Sequence, residues 1–109
     1  MNETMSGLAQ RHCLPGAHKL SSGELDAALV ALDGWKRVDD RLVKTFTFSE
    51  FHAVMAFVNA VAWIAHREDH HPDLAVGFNR VNVSYSTHDA GGITLNDCIC
   101  AARIDALDP

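Results

Sequence analysis

Apolar and polar residues along the chain recur in patterns that predict helices and strands, and the first regular element is a helix. Ser21 and Glu24 stand three positions apart, the spacing of a capping box, and apolar residues then recur at helical intervals until Gly34. The preceding stretch, residues 1–18, is broken by Gly and Pro and has no period. We therefore expect a flexible N-terminal leader over 1–18 and a single folded domain over 19–109.

Alternation of apolar and polar side chains predicts four strands, which come in two pairs. They cover residues 35–38, 42–48, 73–78 and 81–87. In the last strand Val81, Val83 and Tyr85 face one way. The same period puts His88 at the end of that strand, on its polar face. Strands that follow one another in pairs favour an antiparallel sheet.

Between the two strand pairs lies a helix that is apolar around most of its circumference. Ser49 is predicted to cap it, and it runs to about Arg67. Its main apolar stripe is predicted to contain Phe51, Val54, Val58, Val61, Ala62 and Ala65. Four further apolar residues widen that stripe: Met55, Phe57, Trp63 and Ile64. A helix of this kind is buried on more than one side, which indicates packing on the sheet together with a subunit interface.

A second capping box begins the last predicted helix. Thr94 is followed three positions later by Asp97, and the helix is expected over about 95–107. The element order is then helix, two strands, long helix, two strands, helix. This order predicts an α+β fold, a four-stranded antiparallel sheet with three helices packed on one face.

The composition restricts the partners and the compartment. A chain of 109 residues with a formal net charge of −5 and no run of Lys or Arg is not expected to bind nucleic acid or an acidic membrane surface. Its longest apolar segment, 53–65, is well short of the roughly 20 residues that span a bilayer. Three cysteines without a CxxC pair, and no secretory signal pattern in 1–16, favour a reducing compartment, the cytoplasm.

A histidine doublet followed by proline, His70-His71-Pro72, is the strongest chemical signal in the chain. His88 lies seventeen positions past His71, and Asp97 lies nine positions beyond His88. An unperturbed imidazole titrates near neutral pH, so imidazoles that converge can both donate and accept protons in the cell. We expect the three histidines and Asp97 to line one pocket.

Two other interpretations of these residues stay open. Asp97 occupies the position in a capping box at which a carboxylate caps the helix, and this role alone would explain it. His66 and His70 are four residues apart, and with His71 or His88 they could hold Zn²⁺. The HExxH pattern of zinc proteases is absent, since an arginine stands where the glutamate would be.

Taken together, these residues resemble a known signature. The series His66-x-x-x-His70-His71-Pro72, Phe78, Ser86-Thr87-His88 and Asp97 is similar to that of the pterin-4a-carbinolamine dehydratases. The resemblance extends from about Leu20 to the C-terminus through Gly34-Trp35, Phe46-x-Phe48, Phe51 and the strand around Val81. Leu74 departs from the pattern, because that family commonly has an aromatic residue there, often tryptophan.

The resemblance implies the α+β fold and a hydro-lyase activity. The reaction is the dehydration of 4a-hydroxytetrahydropterin to quinonoid dihydropterin, and it proceeds without a metal or an organic cofactor. By resemblance the catalytic residues are His70, His71 and His88. The residues that bind the substrate are, by the same resemblance, Asp97, Pro72, Ser86, Thr87 and His66.

The resemblance also implies partners. Members of the family assemble as homodimers or homotetramers, and their reaction recycles the pterin that an aromatic amino acid hydroxylase has used. Some members are dimerisation partners of a transcription factor, so a protein-interaction module is an alternative function. A small histidine-rich metal-binding protein is a third.

Overall fold

The computed structural model describes residues 7–109 as three helices and four strands. The helices are α1 (Ser22–Ala31), α2 (Phe51–Glu68) and α3 (Leu95–Asp105). The strands are β1 (Lys36–Val38), β2 (Arg41–Thr47), β3 (Asp73–Val76) and β4 (Arg80–Tyr85). Short 3-10 turns occur at Leu8–Gln10 and His88–Ala90. The predicted order of elements is confirmed.

The four strands form one antiparallel sheet in the order β1-β2-β4-β3. Alternation along the strands sends one set of side chains toward the helices, where it is buried: Leu42, Phe46, Val81, Val83 and Tyr85. The alternate set faces the opposite side and includes the exposed Arg41, Thr45, Asp73 and Arg80. The predicted α+β fold, with three helices on one face of a four-stranded sheet, is confirmed.

The helix starts follow from side chains that accept backbone N–H groups. Both predicted capping boxes are present, Ser21 with Glu24 at α1 and Thr94 with Asp97 at α3. The predicted cap of α2 was wrong by one residue. The carboxylate of Glu50 caps that helix by accepting from the backbone N–H groups two and three residues later, at 2.8 Å and 2.9 Å. The carboxylate of Glu50 accepts these two N–H groups on separate oxygens, whereas the hydroxyl of Ser49 has a single oxygen.

Helix α2 buries one face and leaves a second apolar face uncovered. The buried residues are Val54, Phe57, Val61, Ile64 and Glu68. The predicted stripe was therefore right at Val54 and Val61 and wrong at Phe51 and Ala62, which are exposed. Two stripes with helical spacing overlap in this helix, and the buried one contains the bulky Phe57 and Ile64.

The N-terminal segment, residues 7–18, is packed on the helices, whereas the sequence predicted a flexible leader over 1–18. The side chain of Leu8 is buried in the core. The backbone N–H of Cys13 donates to a carboxylate oxygen of Glu68 at 2.7 Å, and Arg103 donates to a backbone carbonyl of the segment at 2.9 Å. The sequence did not predict this packing, because the segment has no periodic pattern. It is held by hydrogen bonds between its backbone and side chains far along the chain. Residues 1–6 lie outside the described residues.

The three thiols are free, and two of them lie close together. Cys98 and Cys100 are buried within α3 and Cys13 is partly exposed. The sulfur atoms of Cys13 and Cys100 are 3.5 Å apart. Burial raises the pKa of Cys98 to about 12, with a smaller contribution from the charge of Asp97. A hydrogen bond with Cys13, together with burial, raises the pKa of Cys100 above its ordinary value.

Glu68 is a buried carboxylate at the end of α2 that fixes the N-terminal segment. Burial on its own would raise the pKa of this carboxyl, but the opposing contributions are larger in sum. They come from hydrogen bonds of the Cys13 N–H and the His12 ring and from the positive charge of Arg103. The pKa of Glu68 therefore lies below its ordinary value, and folding favours its ionised form.

Replacing Glu68 with glutamine is expected to destabilise the protein by about 1–3 kcal/mol at pH 7, because the charge and one of the two acceptor oxygens are lost. A carboxyl with a depressed pKa contributes its stability above the unfolded pKa of about 4.3 and loses it as the pH falls through the folded pKa. The stability difference between the two proteins should then shrink below about pH 4. Urea unfolding at pH 7 and pH 3.5 measures this, with the exposed Asp26→Asn as control. An equal difference at both pH values would contradict it.

Candidate active site

The two histidines of the doublet lie on opposite sides of the chain. Helix α2 ends at Glu68, and Asp69 adopts a left-handed conformation (φ 50°) that turns the chain toward β3. His71 precedes a proline and is therefore restricted to extended conformations. In an extended chain neighbouring side chains point to opposite sides. His70 accordingly points toward the helices and His71 is exposed in a groove on the other side.

His70 is held in the interior by Asp97 and by an aromatic ring. Its Nε2 lies 2.6 Å from the buried carboxylate of Asp97, as a donor to that oxygen. Its ring stacks on Tyr85, with centroids 5.7 Å apart and an interplanar angle of 8°. A ring fixed on two sides in this way holds the backbone from which His71 projects.

Asp97 caps its helix and also holds the ring of His70. Its carboxylate accepts the backbone N–H of Thr94 at 2.8 Å, which caps α3, and accepts from His70 as described above. It also accepts the hydroxyl of Thr87 at 2.9 Å, and that hydroxyl lies 2.7 Å from the hydroxyl of Thr94. The carboxylate is fully buried, and these neighbours provide three hydrogen bonds to it.

A polar groove gathers the other predicted residues at the ends of β2 and β4. It has a volume of about 220 Å³ and is lined by Arg41, His71, Asp73, Ser84, Ser86 and His88. The sheet register explains this set. Asp73 pairs with Ser84, so the residue two positions earlier, His71, falls beside Ser86. His88 begins the 3-10 turn that follows β4.

The groove continues past His88 along the turn between β1 and β2. This second part has a volume of about 440 Å³ and shares Arg41, Ser86 and His88 with the first. Its other lining residues are Asp39, Asp40, Gly91 and Gly92. The two imidazoles therefore lie in an open cleft of the size that small-molecule ligands occupy.

The prediction that four residues share one pocket holds for two of them. His71 and His88 line the groove together, whereas His70 and Asp97 lie behind it on the helix side. Ser86 lines the groove, and Thr87 bonds to Asp97 behind it. Pro72 is half-buried between the two environments.

His66 lies apart from this site. It is exposed on α2, and its ring centroid is 5.7 Å from that of Trp63. The alternative zinc set of His66, His70 and His71 is thus spread over a helix surface, the interior and the groove. Within residues 7–109, His, Cys, Asp and Glu side chains form no group of three or more that could hold a metal ion.

Arg41 is a lining residue that the sequence interpretation missed. One of its terminal nitrogens, Nη1, donates to the carboxylate of Asp73 at 2.8 Å and to the hydroxyl of Ser84 at 2.9 Å. The available signal was its position one residue before the buried Leu42, which places it on the same face as the polar residues of β4. Without the register of β2 against β4, that face could not be connected with the histidines.

The groove is suited to proton transfer. Two exposed imidazoles share it with two hydroxyls and the ion pair of Arg41 and Asp73. Imidazole is the side chain best able to give and take a proton near neutral pH, and two of them can act on different atoms of one ligand.

Comparison with known proteins finds relatives of this chain over nearly its whole length. The family model described as pterin 4 alpha carbinolamine dehydratase matches residues 18–107. A protein of Nitrosospira multiformis is 49% identical over 110 residues, which cover 98% of this chain and 97% of the relative. A protein of Xanthomonas euvesicatoria is 52% identical over 105 residues, 92% of this chain and 89% of the relative. Both are provisionally named pterin-4-alpha-carbinolamine dehydratases.

Two solved structures have the same fold. A Brucella melitensis protein described as a transcriptional coactivator/pterin dehydratase has a TM-score of 0.81 and 34% identity, over 84% of this chain and all of that one. A pterin dehydratase-like protein identified as a RuBisCO assembly factor of the alpha-carboxysome has a TM-score of 0.56 and 27% identity, over 67% of this chain and 84% of that one. With a family model that spans residues 18–107 and relatives near 50% identity, the chain belongs to the pterin-4a-carbinolamine dehydratase family.

Proposed function

We propose that this protein dehydrates 4a-hydroxytetrahydropterin to quinonoid dihydropterin and water. The observation that carries the proposal is the presence of His71 and His88 in one groove of a chain that belongs to this family. The reaction would recycle the pterin that an aromatic amino acid hydroxylase releases. The proposal includes no metal and no organic cofactor.

The chemistry requires two proton movements. The 4a-hydroxyl leaves as water after it receives a proton, and a ring nitrogen loses a proton so that the new double bond can form. His71 and His88 take these two roles, one as acid and the other as base, and the imidazoles exchange protons again with solvent. His70 acts as a positioning residue, since its bonds to Asp97 and Tyr85 fix the start of the strand that presents His71.

The direct test is turnover of synthetic 4a-hydroxytetrahydropterin, followed by absorbance and compared with the spontaneous reaction at the same pH. We expect acceleration that grows in proportion to protein concentration and is unchanged after treatment with EDTA. A rate equal to the spontaneous one would overturn the proposed function. Loss of activity on chelation, restored by Zn²⁺, would support the metal-site alternative.

An interaction module is a second candidate function, and the uncovered face of α2 favours it. Phe51, Met55 and Trp63 are 47%, 36% and 59% exposed. At 3.6 residues per turn they lie within an arc of about 120° around the helix. Exposed apolar patches of this kind usually mark interfaces. The Brucella relative described as a coactivator and the carboxysome assembly factor show that such roles are named for similar proteins.

We propose that a second copy of this chain covers that face, in a homodimer or homotetramer. Multi-angle light scattering at micromolar concentration should then give a small multiple of the 11.9 kDa chain mass. Trp63→Lys should weaken the assembly, because a charge replaces the most exposed of the three apolar side chains. Val30→Lys, on an exposed position of α1, is the matched control and should leave the mass unchanged. A wild-type mass of one chain would contradict the proposal.

The compartment is proposed from the thiols. Cys13, Cys98 and Cys100 are all free, which is typical of a reducing environment, and we propose the cytoplasm. None of the helices in the described part of the chain combines the length and the apolar character that a membrane crossing requires.

A further inference from the structure

We infer that Arg41 is a substrate-positioning residue that donates hydrogen bonds to the C4 carbonyl oxygen of the pterin ring. The inference rests on the proposed function and extends it to a residue outside the histidine motif. Arg41 lies in both parts of the groove, together with His88 and Ser86. It therefore borders the space that a ligand in contact with His71 and His88 would occupy.

The guanidinium is anchored on one nitrogen only. Nη1 makes both hydrogen bonds, to Asp73 and to Ser84. Among residues 7–109, the structure shows no protein acceptor for Nε or Nη2, and the side chain is 48% exposed. A planar group with one corner fixed and its other donors free is oriented for recognition of an oxygen acceptor in the groove.

The carboxylate that holds Arg41 belongs to the residue next to the histidine motif. Asp73 follows directly after Pro72, so the segment that presents His71 also supplies the carboxylate that holds Arg41. Ser84 pairs with Asp73 across β3 and β4, which fixes the second contact in the same register. The donors of Arg41 and the imidazole of His71 are thereby held at a defined separation by the sheet.

The pterin ring offers an acceptor that fits these donors. Its C4 carbonyl is bonded to C4a, the carbon that carries the leaving hydroxyl. A donor fixed on that oxygen sets which way C4a faces and presents it to the imidazoles. Arginine does not release its proton near neutral pH, so Arg41 binds and orients the ring and takes no part in the proton transfers.

The first experiment separates binding from chemistry. Arg41→Ala should raise KM about ten- to a hundredfold, the equivalent of one hydrogen bond to a charged donor, and leave kcat within about threefold. Arg41→Lys should recover part of the loss, since it keeps the charge without the planar fork. Arg80→Ala is the matched control, because Arg80 is on the same face of the sheet outside the groove. It should behave as the wild type.

A second measurement identifies the contacted atom. Inhibition by a tetrahydropterin, which has the 4-oxo group, is compared with inhibition by the corresponding 2,4-diamino compound, which has a donor at that position. The wild type should prefer the 4-oxo compound by about tenfold or more, and Arg41→Ala should lose that preference. Loss of the preference together with a raised KM is specific for recognition of the carbonyl. A general loss of structure would weaken the binding of both compounds equally.

The outcomes distinguish this inference from the proposed function. A wild-type protein without turnover overturns the dehydratase proposal and this inference with it. An active wild type with an unchanged KM in Arg41→Ala overturns only the role of Arg41. A lowered kcat at constant KM, or a preference for the 4-oxo compound that survives the substitution, also overturns it. Should Arg41→Ala not fold, Arg41→Gln and Arg41→Lys are measured in the same two assays.

Discussion

Alanine in place of His71 or His88 is expected to lower the dehydration rate by at least about tenfold, because a positioned acid or base typically contributes about 10²–10⁴-fold. The fold should persist, since His71 and His88 are exposed at the ends of elements and contribute nothing to the core. Stopped-flow kinetics with 4a-hydroxytetrahydropterin measures the rate, and circular dichroism checks the fold.

His66→Ala serves as the control for the histidine substitutions. The sequence resemblance placed His66 among the substrate-binding residues, whereas the structure puts it on the surface of α2 beside Trp63. Its replacement should therefore leave the rate unchanged. Full activity in the His71→Ala, His88→Ala double variant would rule out the acid–base assignment. A loss of rate in His66→Ala equal to that in His71→Ala would rule out the groove as the active site.

Replacing Asp97 with alanine is expected to destabilise the protein by about 3 kcal/mol or more, because it leaves several buried donors without an acceptor. The helix cap, the Thr87 hydroxyl and the His70 ring all bond to this carboxylate. The rate should fall as well, since His70 is no longer fixed behind His71. Thermal unfolding at pH 7 gives the loss of stability, and kcat of the folded fraction gives the loss of positioning.

Glu24→Ala provides a matched control for Asp97→Ala. Both carboxylates occupy the third helical position of a capping box, but Glu24 bonds at the surface of α1 and Asp97 is fully buried. The Glu24 variant should lose much less stability. If the two variants unfolded at similar temperatures, Asp97 would be a helix cap and nothing more.

Most helices and strands were predictable from the sequence, because the patterns that specify them involve residues only a few positions apart. Both capping boxes and all four strands were found, since each depends on neighbours in the chain. The N-terminal segment was misjudged because its partners, Glu68, Asn96 and Arg103, are 55 or more positions away. The cap of α2 was placed one residue early because serine is a preferred cap residue and glutamate is not, so the sequence favours Ser49 over Glu50.

The site was predictable in residue type and less so in arrangement. The sequence identified His71, His88 and Ser86, which do meet in the groove. It could not show that His70 turns the other way, because that depends on the left-handed Asp69 at the end of α2. It also could not connect Arg41 with the histidines, since the connection runs through strand pairing over 43 positions.

The position of Cys13 gives the protein a built-in reporter for chemical labelling. Cys98 and Cys100 are buried, so in the native protein a thiol-reactive reagent such as a maleimide should modify Cys13 first. Cys13 sits on the N-terminal segment, and its sulfur packs against Cys100. A change in the labelling rate therefore reports a change in how tightly that segment is packed, in the way that amide exchange reports local opening. The opening equilibrium can be followed by mass spectrometry without introducing any residue.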